Sequence, residues 1–440
     1  MKDAIDKSGG VPGSPFSRDR RAFLGTASGA AFTIMNAALV RGTQANSKLE
    51  AGCIGLGARG RLICQIMARH PGYQLVAAAD YFPDVVRKAA ESLNVPETRC
   101  YSGLLGYRRL IESKVDAVFL EAPPYCFPDH AAAAVQAGCH VYMAKPVAVD
   151  VPGCLRISAL GKESSKKQKV FFVDFQMRTD PFIIESVKRV HEGTIGQISL
   201  LSSHYSSEGF PDPEKTATIE DRLQNLIWTN DIAIGGGHFV NAGIHAIDAA
   251  LWIARELPVS AMGCTRTLRA NPHGDSPDID SFTFQFKSGL ILNHCGEHVK
   301  NMHQFLCSAS AYGRDGYVET SYTGNSFVRG NKGGYEGGPV TNLYNEGIKR
   351  NLDNFYKKVT GAVYDNSTVE PSVNSTLATI LGREAGARNG LVTWDLLLRE
   401  NRRMAVDLTG LREYVLGTGY STSKLPYLAG QSSLLYFVVE

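Results

Sequence analysis

Apolar runs alternate with helical patterns through the first third of the chain. The runs that predict buried strands cover residues 49–55, 74–79, 115–120 and 139–143. The stretches with helical spacing of apolar residues cover 61–70, 83–93 and 128–136. Repeated strand–helix units of this length predict an α/β fold with a doubly wound parallel sheet, whose ligand lies at the carboxyl ends of the strands.

The pattern changes after about residue 176. Apolar alternation predicts strands over 198–203, 281–286 and 290–294 without helices regularly between them, which favours an α+β domain with a mostly antiparallel or mixed sheet. The glycine- and asparagine-rich stretch 324–341 predicts a long surface loop. Three more helices are predicted over 345–360, 372–388 and 394–402, and the tail after residue 417 ends in an apolar run.

The first 45 residues predict an export signal rather than folded structure. Arg20 and Arg21 precede Phe23 and Leu24, an apolar run covers 26–40, and small residues follow at 43–45. The paired arginines resemble the twin-arginine signal, which predicts a periplasmic or otherwise exported protein. The alternative is an amphipathic helix or membrane anchor, but the run is short and contains polar residues, so no stable membrane insertion is expected after cleavage.

Charge and cysteine content exclude several classes of protein. The formal charge of the 440 residues is +3, and residues 1–45 carry all of it, with six basic and three acidic side chains. The remaining chain is neutral, so a nucleic-acid partner is not predicted. Nine cysteines, an odd number without a CxxC pair, argue against a disulfide framework or a zinc site.

A glycine-rich turn joins the first predicted strand to the first predicted helix. Gly55, Gly57 and Gly60 form a GxGxxG motif in which Ala58 and Arg59 open the helix, a turn that lets backbone N–H groups approach a pyrophosphate. Asp80 ends the next strand, where its carboxylate would accept hydrogen bonds from ribose hydroxyls and repel a 2′-phosphate. The sequence therefore predicts NAD rather than NADP as the cofactor.

With these motifs the chain resembles the Gfo/Idh/MocA family of oxidoreductases. The resemblance rests on the GxGxxG motif, on Pro123-Pro124 with Asp129-His130, and on residues 138–146, which end Ala144-Lys145-Pro146. Segments 174–178 and 193–196 are also similar to family segments. The family normally has Glu-Lys-Pro at 144–146, and its lysine lies near the nicotinamide and the reacting hydroxyl. The resemblance implies that Pro123, His130 and Lys145 contact the cofactor.

The resemblance also implies the domain organisation. We expect a signal segment (1–45), an NAD-binding Rossmann domain (46–175) and a substrate and oligomerisation domain (176–440). The family's second domain has a large open-faced sheet, whose exposed side is commonly a dimer interface, so a homodimer or homotetramer is expected.

The predicted chemistry centres on residues 235–252. Asn241, His245 and Asp248 are spaced four and three apart, which an α-helix would place on one face. The family has an Asp-x3-His pair here, and Asn241 stands in place of its aspartate. We expect His245 and Lys145 to act as acid and base while Asn241 orients the substrate. The alternative is that His245 is a core histidine capped by Asp248.

Other polar residues carry weaker predictions. Arg178, Tyr205 and Trp228 are predicted on the substrate side, although a structural role fits each equally well. His294, Glu297 and His298 match the HxxEH spacing of some zinc peptidases, with His303 nearby. The segment contains Gly296 and follows a predicted strand, so chance explains the spacing better than a metal site does. The same histidines are candidates for lining a sugar pocket.

The leading hypothesis is an exported NAD-dependent oxidoreductase that transfers a hydride between a tightly held cofactor and a hydroxyl of a sugar, cyclitol or glycoside. Two alternatives stay open. One is an NAD-dependent glycosidase that uses transient oxidation, elimination and re-reduction. The other is a non-catalytic sugar- or nucleotide-binding relative.

Overall fold

A computed structural model of the protein describes residues 48–411, apart from 211, 213–217, 225, 271, 273, 302 and 332. The predicted signal segment and the apolar end of the C-terminal tail lie outside the described residues. Within the described ranges no helix has both the length and the apolar character needed to cross a membrane.

The first sheet is fully parallel, with strand order β3-β2-β1-β4-β5-β6. Its strands are β1 (Leu49–Ile54), β2 (Tyr73–Asp80), β3 (Cys100–Ser102), β4 (Ala117–Leu120), β5 (His140–Ala144) and β6 (Phe171–Asp174). The helices between them are α1 (Ala58–Arg69), α2 (Pro83–Leu93), α3 (Gly106–Glu112), α4 (Phe127–Gln136) and α5 (Val151–Lys166). This arrangement confirms the predicted doubly wound sheet.

The second sheet has nine strands in the order β14-β13-β12-β11-β7-β10-β9-β8-β15. They are β7 (Ile198–Ser206), β8 (Pro258–Arg266), β9 (Ile279–Phe286), β10 (Ile291–Glu297), β11 (Leu306–Gly313), β12 (Gly316–Ser321), β13 (Asn325–Gly330), β14 (Tyr335–Pro339) and β15 (Val392–Thr393). The sheet is mixed, as predicted, because β7 and β10 pair in parallel while the other neighbours are antiparallel.

The helices of the second half are α6 (Pro181–His191), the short α7 (Ile219–Arg222) and α8 (Ile232–Gly235), α9 (Ile244–Ala254), α10 (Leu343–Thr360), α11 (Val369–Arg388) and α12 (Trp394–Glu400). Helices α6, α9, α11 and α12 cover one face of the second sheet, whereas α10 packs on the first sheet. Helix α9 packs on β7 and β11, and α11 packs on β8 and β9. The strands follow the expected period of two, with Phe282 and Phe284 buried under the helices. Val259, Met262 and Ile291 are exposed on the open face.

The predicted surface loop over 324–341 is wrong. This stretch forms the edge strands β13 and β14, in which the side chains of Ser326 and Val328 are fully buried. Glycine-rich edge strands lack a clear alternating pattern, because their pairing with β12 decides their conformation.

Helices α10 and α11 connect the two sheets. Ile348, Leu352 and Phe355 of α10 pack into the core of the first sheet, and the Tyr73 hydroxyl donates to the Leu352 carbonyl at 2.7 Å. Helix α11 is buried on nearly all sides, so its polar residues make internal hydrogen bonds instead of facing solvent. The edge where β1, β4, β5 and β6 end is thereby held against the inner face of the second sheet.

Candidate active site

The GxGxxG turn has the shape that a dinucleotide phosphate requires. Gly55 has a φ of +93°, and a Cβ there would collide with the backbone of Glu121 and Ala122. A Cβ on Gly60 would collide with the Gly55 carbonyl, whereas one on Gly57 would meet no atom within 4 Å. The turn is tight at its first glycine, open at its second and closely packed at its third. Helix α1 has no side-chain cap at Gly57, so its first N–H groups are available to an anion.

Asp80 lies at the carboxyl end of β2, beside this turn. Its Oδ2 accepts from the Leu56 N–H at 2.7 Å and its Oδ1 from the Phe82 N–H at 3.1 Å. Burial raises the pKa of Asp80, and these backbone hydrogen bonds oppose the rise. The side chain is only partly buried, so lone pairs remain for ribose hydroxyls. These residues fit the adenosine half of NAD, and the carboxylate would repel a 2′-phosphate.

Lys145, Asn241 and His245 meet opposite the glycine-rich turn. Lys145 follows β5 through a cis peptide to Pro146, and its Nζ donates to the Asn241 carbonyl oxygen at 2.6 Å. Asn241 lies in a π-helical turn, Phe239–Gly243, which runs into α9 one residue before His245. The α-helix that this spacing predicts therefore includes His245 and Asp248 but begins only at Ile244, and Asn241 lies in the wider π turn before it.

Arg59 extends from the glycine-rich turn across the ends of three strands. Its Nε lies 3.1 Å from Glu121, which follows β4, and its Nη2 donates to Asp174 at the end of β6. Leu120 pairs with Met143, and Ala144 pairs with Asp174. The two carboxylates therefore stand on the strands either side of β5, where Ala144 itself carries none.

Both carboxylate oxygens of Asp174 accept hydrogen bonds within this network. Its Oδ2 also accepts from the Tyr142 hydroxyl and its Oδ1 from the Asn351 amide, both at 2.6 Å. Arg59 has its guanidinium 5.8 Å from the Tyr344 ring centroid. Helix α10, which carries Asn351 and Tyr344, thus closes the network from the second domain.

Burial and the charge of Arg59 set the proton affinities of the site. Burial, followed by the charge of Arg59, lowers the pKa of Lys145 to about 7, against the opposing effect of the carboxylates. Burial and the charges of Lys145 and Arg59 bring the pKa of His245 well below its usual value. Burial raises the pKa of Glu121 to about 8 despite its contact with Arg59. At neutral pH His245 is uncharged and much of Lys145 is a free amine, so both are proton acceptors.

A row of rings runs from His245 along the inner face of the second sheet. The ring centroids of His245 and Tyr322 lie 5.4 Å apart, and those of Tyr322 and Phe305 lie 5.8 Å apart. Tyr205 continues the row at 5.6 Å from Phe305 and 5.4 Å from His238. Aromatic faces of this kind suit the C–H-rich face of a sugar or cyclitol.

Asp248 pairs with Arg178 and not with His245. Arg178 donates from Nε and Nη2 to the two Asp248 carboxylate oxygens at 2.8 and 3.0 Å, and the Ser375 hydroxyl donates to Asp248 at 2.7 Å. The alternative in which Asp248 caps a core histidine is therefore wrong, because Arg178 and Ser375 occupy the carboxylate. The guanidinium also lies over the Trp252 ring at 5.1 Å. A substrate contact by Arg178 stays a prediction.

The remaining predicted site residues lie at the margins. Pro123 is half-buried in the turn after β4, near the glycine-rich motif. The His130 ring stacks on Tyr107 at 4.2 Å, and burial lowers the pKa of His130 to about 3. Trp228 is half-buried in a 3₁₀ turn, Ile227–Asn230, whose backbone packs against Gly235. Their contacts with cofactor or substrate stay predictions.

The HxxEH segment forms strand β10 and its end, not a helix. His294 Nδ1 lies 2.8 Å from the Ser203 hydroxyl, whereas His298 bonds Ser207 and the Phe210 N–H. The two histidines have separate polar partners. Across the described ranges no group of three or more His, Cys, Asp or Glu side chains is placed to hold a metal ion.

Part of the site has no signal in the sequence. The position of Glu121 at a strand end predicts that it faces the cofactor, and Asp174 lies in a segment similar to the family, but their convergence on Arg59 depends on strand register. Tyr322 and Phe305 have no motif that would identify them. His238 lies inside the predicted key segment, but its position beside Tyr205 follows from the second sheet.

Comparison with known proteins adds family information to this geometry. A model described as an oxidoreductase family with an NAD-binding Rossmann fold matches residues 49–175, and a model of the GFO/IDH/MocA C-terminal domain matches residues 185–319. Together they cover more than half of the chain.

Individual relatives are distant. The inositol 2-dehydrogenase of Rhizobium meliloti (strain 1021) is 22% identical over 353 residues, which cover 77% of this chain and 96% of the relative. A glycosyl hydrolase family 109 protein of Porphyromonas gingivalis is 28% identical over 169 residues, 36% of this chain and 35% of that protein. The crystal structure of myo-inositol 2-dehydrogenase from Lactobacillus plantarum has the same fold, with a TM-score of 0.64 and 21% identity over 79% of this chain and 99% of that one.

Proposed function

The chain belongs to the Gfo/Idh/MocA family of oxidoreductases, whose first domain is an NAD-binding Rossmann domain, and we propose that it is an NAD-dependent dehydrogenase acting on a hydroxyl of a neutral sugar, cyclitol or glycoside. The observation that carries the proposal is the 2.6 Å contact between Lys145 Nζ and the Asn241 carbonyl, with His245 beside it. This contact brings Lys145 of the first domain next to the helix that carries His245 of the second domain. Both proton acceptors then lie at the edge of the first sheet where the glycine-rich turn would hold the cofactor.

The charges of the site favour a neutral substrate. Asp174 opposes the charge of Arg59, and Glu121, whose pKa is about 8, is mostly uncharged near pH 7. The ring row from His245 to His238 offers apolar faces, and its tyrosines and histidines carry polar atoms at their edges. A polyol fits such a surface, because its hydroxyls exchange hydrogen bonds with amide, amine and imidazole groups while its C–H face packs on rings.

The protein's own residues would handle the proton, and NAD would accept the hydride. Oxidation of a hydroxyl releases one proton, which a neutral His245 or Lys145 accepts. Near pH 7 burial keeps His245 uncharged, and a large fraction of Lys145, whose pKa is about 7, is the free amine, so a proton acceptor is present without prior deprotonation by solvent. Asn241 lies between them, and in this proposal its amide orients the substrate.

A second candidate is the NAD-dependent glycosidase. The chain's similarity to a glycosyl hydrolase family 109 protein, which extends over 36% of this chain and 35% of that protein, favours this candidate. That reaction begins with the same hydroxyl oxidation. Loss of the acidified proton on the neighbouring carbon then expels the aglycone, water adds to the unsaturated ketone, and return of the hydride would restore the hydroxyl. Release of free sugar from an aryl glycoside without net NADH would favour the glycosidase, and a keto-sugar product would favour the dehydrogenase.

Cellular location and assembly belong to the same proposal. We propose that the twin-arginine segment exports the folded protein with NAD already bound, which allows the cofactor to be used where free NAD is scarce. We also propose a homodimer or homotetramer joined through the open face of the second sheet, where Val259, Met262 and Ile291 are exposed.

Substitution of the two acid/base residues tests the function. We expect Lys145→Met and His245→Ala to lower turnover roughly 10²–10⁴-fold. NAD should remain with both variants, as shown by analysis of the supernatant after denaturation. The controls are Lys188→Met and His191→Ala, which change exposed residues of the same types. Turnover would be followed as NADH absorbance on a panel of myo-inositol, D-glucose, D-galactose, D-mannose and 4-nitrophenyl glucosides.

Two results would overturn this assignment. Wild-type turnover in both variants would exclude the acid/base roles. A wild-type protein that carries no NAD and fails to bind added NAD would exclude the dehydrogenase and glycosidase together. The non-catalytic alternative predicts bound NAD or sugar with no turnover across the whole panel.

A further inference from the structure

Two histidines outside the proposed acid/base pair stack on each other at the far end of the ring row. The rings of His238 and His298 are nearly parallel, with centroids 3.4 Å apart. Both side chains are about 2% exposed or less. Stacked imidazoles this close repel each other when charged, so this packing requires uncharged rings. Burial lowers the pKa of His298 to about 4 and that of His238 well below its usual value.

The hydrogen bonds around His298 fix where its proton lies. The Phe210 N–H donates to His298 Nε2 at 3.0 Å, and a backbone N–H can only donate. In an uncharged ring the proton must then be on Nδ1, which lies 3.2 Å from the Ser207 hydroxyl oxygen. His298 therefore donates to Ser207.

The hydrogen bonds of Ser207 in turn determine which nitrogen of His238 carries the proton. Its hydroxyl oxygen has two lone pairs and one hydrogen, and it also contacts the Tyr205 hydroxyl. When His298 and the Tyr205 hydroxyl both donate to that oxygen, its two lone pairs are filled and the Ser207 hydrogen is left to point at His238 Nε2, which lies 3.5 Å away. His238 then carries its proton on Nδ1. That nitrogen is buried and has no hydrogen-bond partner among the described residues.

A buried donor without a partner is costly, so it points to a ligand. The His238 ring continues the row that begins at His245, through Tyr322, Phe305 and Tyr205. The charge of Lys145 acts on both His238 and His245, so the two histidines lie near the same lysine. His238 also immediately precedes the π-helical turn whose Asn241 carbonyl holds Lys145.

We propose that His238 donates a hydrogen bond from Nδ1 to a substrate hydroxyl other than the one that is oxidised, and that Ser207 and His298 hold its ring in the required tautomer. The inference rests on the proposed function, because it concerns the same substrate. It identifies the substrate as a polyol with a second hydroxyl in reach of His238. His238 takes no part in proton transfer and acts on binding alone.

Nitrogen NMR of the histidine rings tests the tautomer without any need for turnover. In the NAD-loaded protein at pH 6 we expect His238 and His298 to be uncharged with the proton on Nδ1, and Ser207→Ala to give His238 a mixture of tautomers. A charged His238, or a proton on its Nε2, would overturn the proposal. Addition of the panel compounds at 50 mM should shift the His238 Nδ1 signal for at least one of them, and no shift with any compound would also overturn it.

Kinetics with the best panel substrate tests the contact itself. His238→Phe removes the donor, and we expect KM to rise roughly tenfold with kcat within about threefold of wild type, the loss of one hydrogen bond. His238→Asn places an amide N–H near the position of Nδ1 and should restore KM to within about threefold. The control is His191→Phe at an exposed histidine outside the site. If His238→Phe does not fold, Ser207→Ala serves in its place and should raise KM severalfold.

The outcomes separate this inference from the proposed function. Turnover with an unchanged KM in His238→Phe and Ser207→Ala would overturn the role of His238 and leave the dehydrogenase standing. Absence of turnover together with a sugar-induced shift of His238 Nδ1 would overturn the dehydrogenase and leave the binding role. A kcat loss without a KM change would make His238 a structural or acid/base residue and overturn the proposal.

Discussion

At the scale of single residues, two departures from the family pattern are offset by neighbours. Ala144 and Asn241 each stand where the family has a carboxylate. Glu121 and Asp174 supply carboxylates from the strands on either side of Ala144, and Arg59 bridges them. Asn241 contributes its backbone carbonyl to Lys145. The lysine is thus held by a carbonyl and by a nearby charged network instead of a directly adjacent acid.

The low pKa of Lys145 predicts how stability and activity depend on pH. Its pKa falls from 10.5 in the unfolded chain to about 7 in the folded protein. Between these values the unfolded chain binds more protons, so this group makes the free energy of unfolding rise with pH from about 7 to 10.5. Oxidation should likewise rise with pH through about 7 and then level off.

Lys145→Met should therefore stabilise the apoprotein at pH 6–7 while it abolishes turnover. We expect a gain of about 1–3 kcal/mol, less than the full pKa shift implies, because the hydrogen bond to Asn241 is lost. Urea unfolding of wild type and variant at pH 6 and pH 9 measures this, with Lys188→Met as the control. A variant that is less stable than wild type at both pH values would contradict the burial of a charged lysine.

At the scale of elements, the period of the hydrophobic residues predicts most helices and strands, but not the π-helical turn or the glycine-rich edge strands. Helix α2 has the predicted limits, 83–93, because Pro83 starts it and Asn94 ends it in a left-handed conformation. The π-helical turn before α9 has no period that distinguishes it from an α-helix in sequence. The sequence of strands β13 and β14 predicts a loop, because its glycines interrupt the alternation of apolar and polar residues that indicates a strand.

Helix α11 ties together the two loops that carry Lys145 and Asn241. Arg383 Nη1 donates to the Val149 carbonyl at 2.9 Å and to the Gly236 carbonyl at 3.3 Å. We expect Arg383→Met to lower kcat roughly tenfold by releasing these loops, and to cost about 1–3 kcal/mol through two unpaired buried carbonyls. NAD affinity, measured by NADH fluorescence, should stay within twofold of wild type.

The matched control is Arg388→Met on the exposed side of the same helix, where Arg388 pairs with Glu400. An exposed pair contributes little, so kcat should be unchanged and the stability loss below about 1 kcal/mol. Equal loss of kcat in the two variants would show that α11 does not position the site.

At the scale of the whole molecule, charge distinguishes the proposed signal segment from the rest of the chain. The formal charge of +3 lies within residues 1–45, and the remainder is neutral. We expect Arg20→Lys with Arg21→Lys to leave the precursor uncut in the cytoplasm, because the twin-arginine signal is read by a receptor. Cell fractionation and N-terminal sequencing measure this, and the exported wild-type chain should begin at Asn46.

Arg18→Lys is the control, since it conserves charge outside the arginine pair in the same way. Normal export and cleavage of the doubly substituted chain would contradict the proposal that residues 20–21 belong to a twin-arginine signal. The assignment as an oxidoreductase would not be affected.

The sequence by itself determined the parallel first sheet and the glycine-rich turn with Asp80, and its resemblance to the family made Lys145 and His245 candidates. The sheet and the turn are local patterns, in which residue period, glycine spacing and motif order lie within about 30 residues. Only the tertiary structure decided that Arg59 joins Glu121 to Asp174, that Asp248 belongs to Arg178, and that His238 faces the ring row. Those contacts join residues 33 to 115 positions apart, across strand registers and a second sheet. Pairing at that range depends on packing, for which a single sequence carries no local signal.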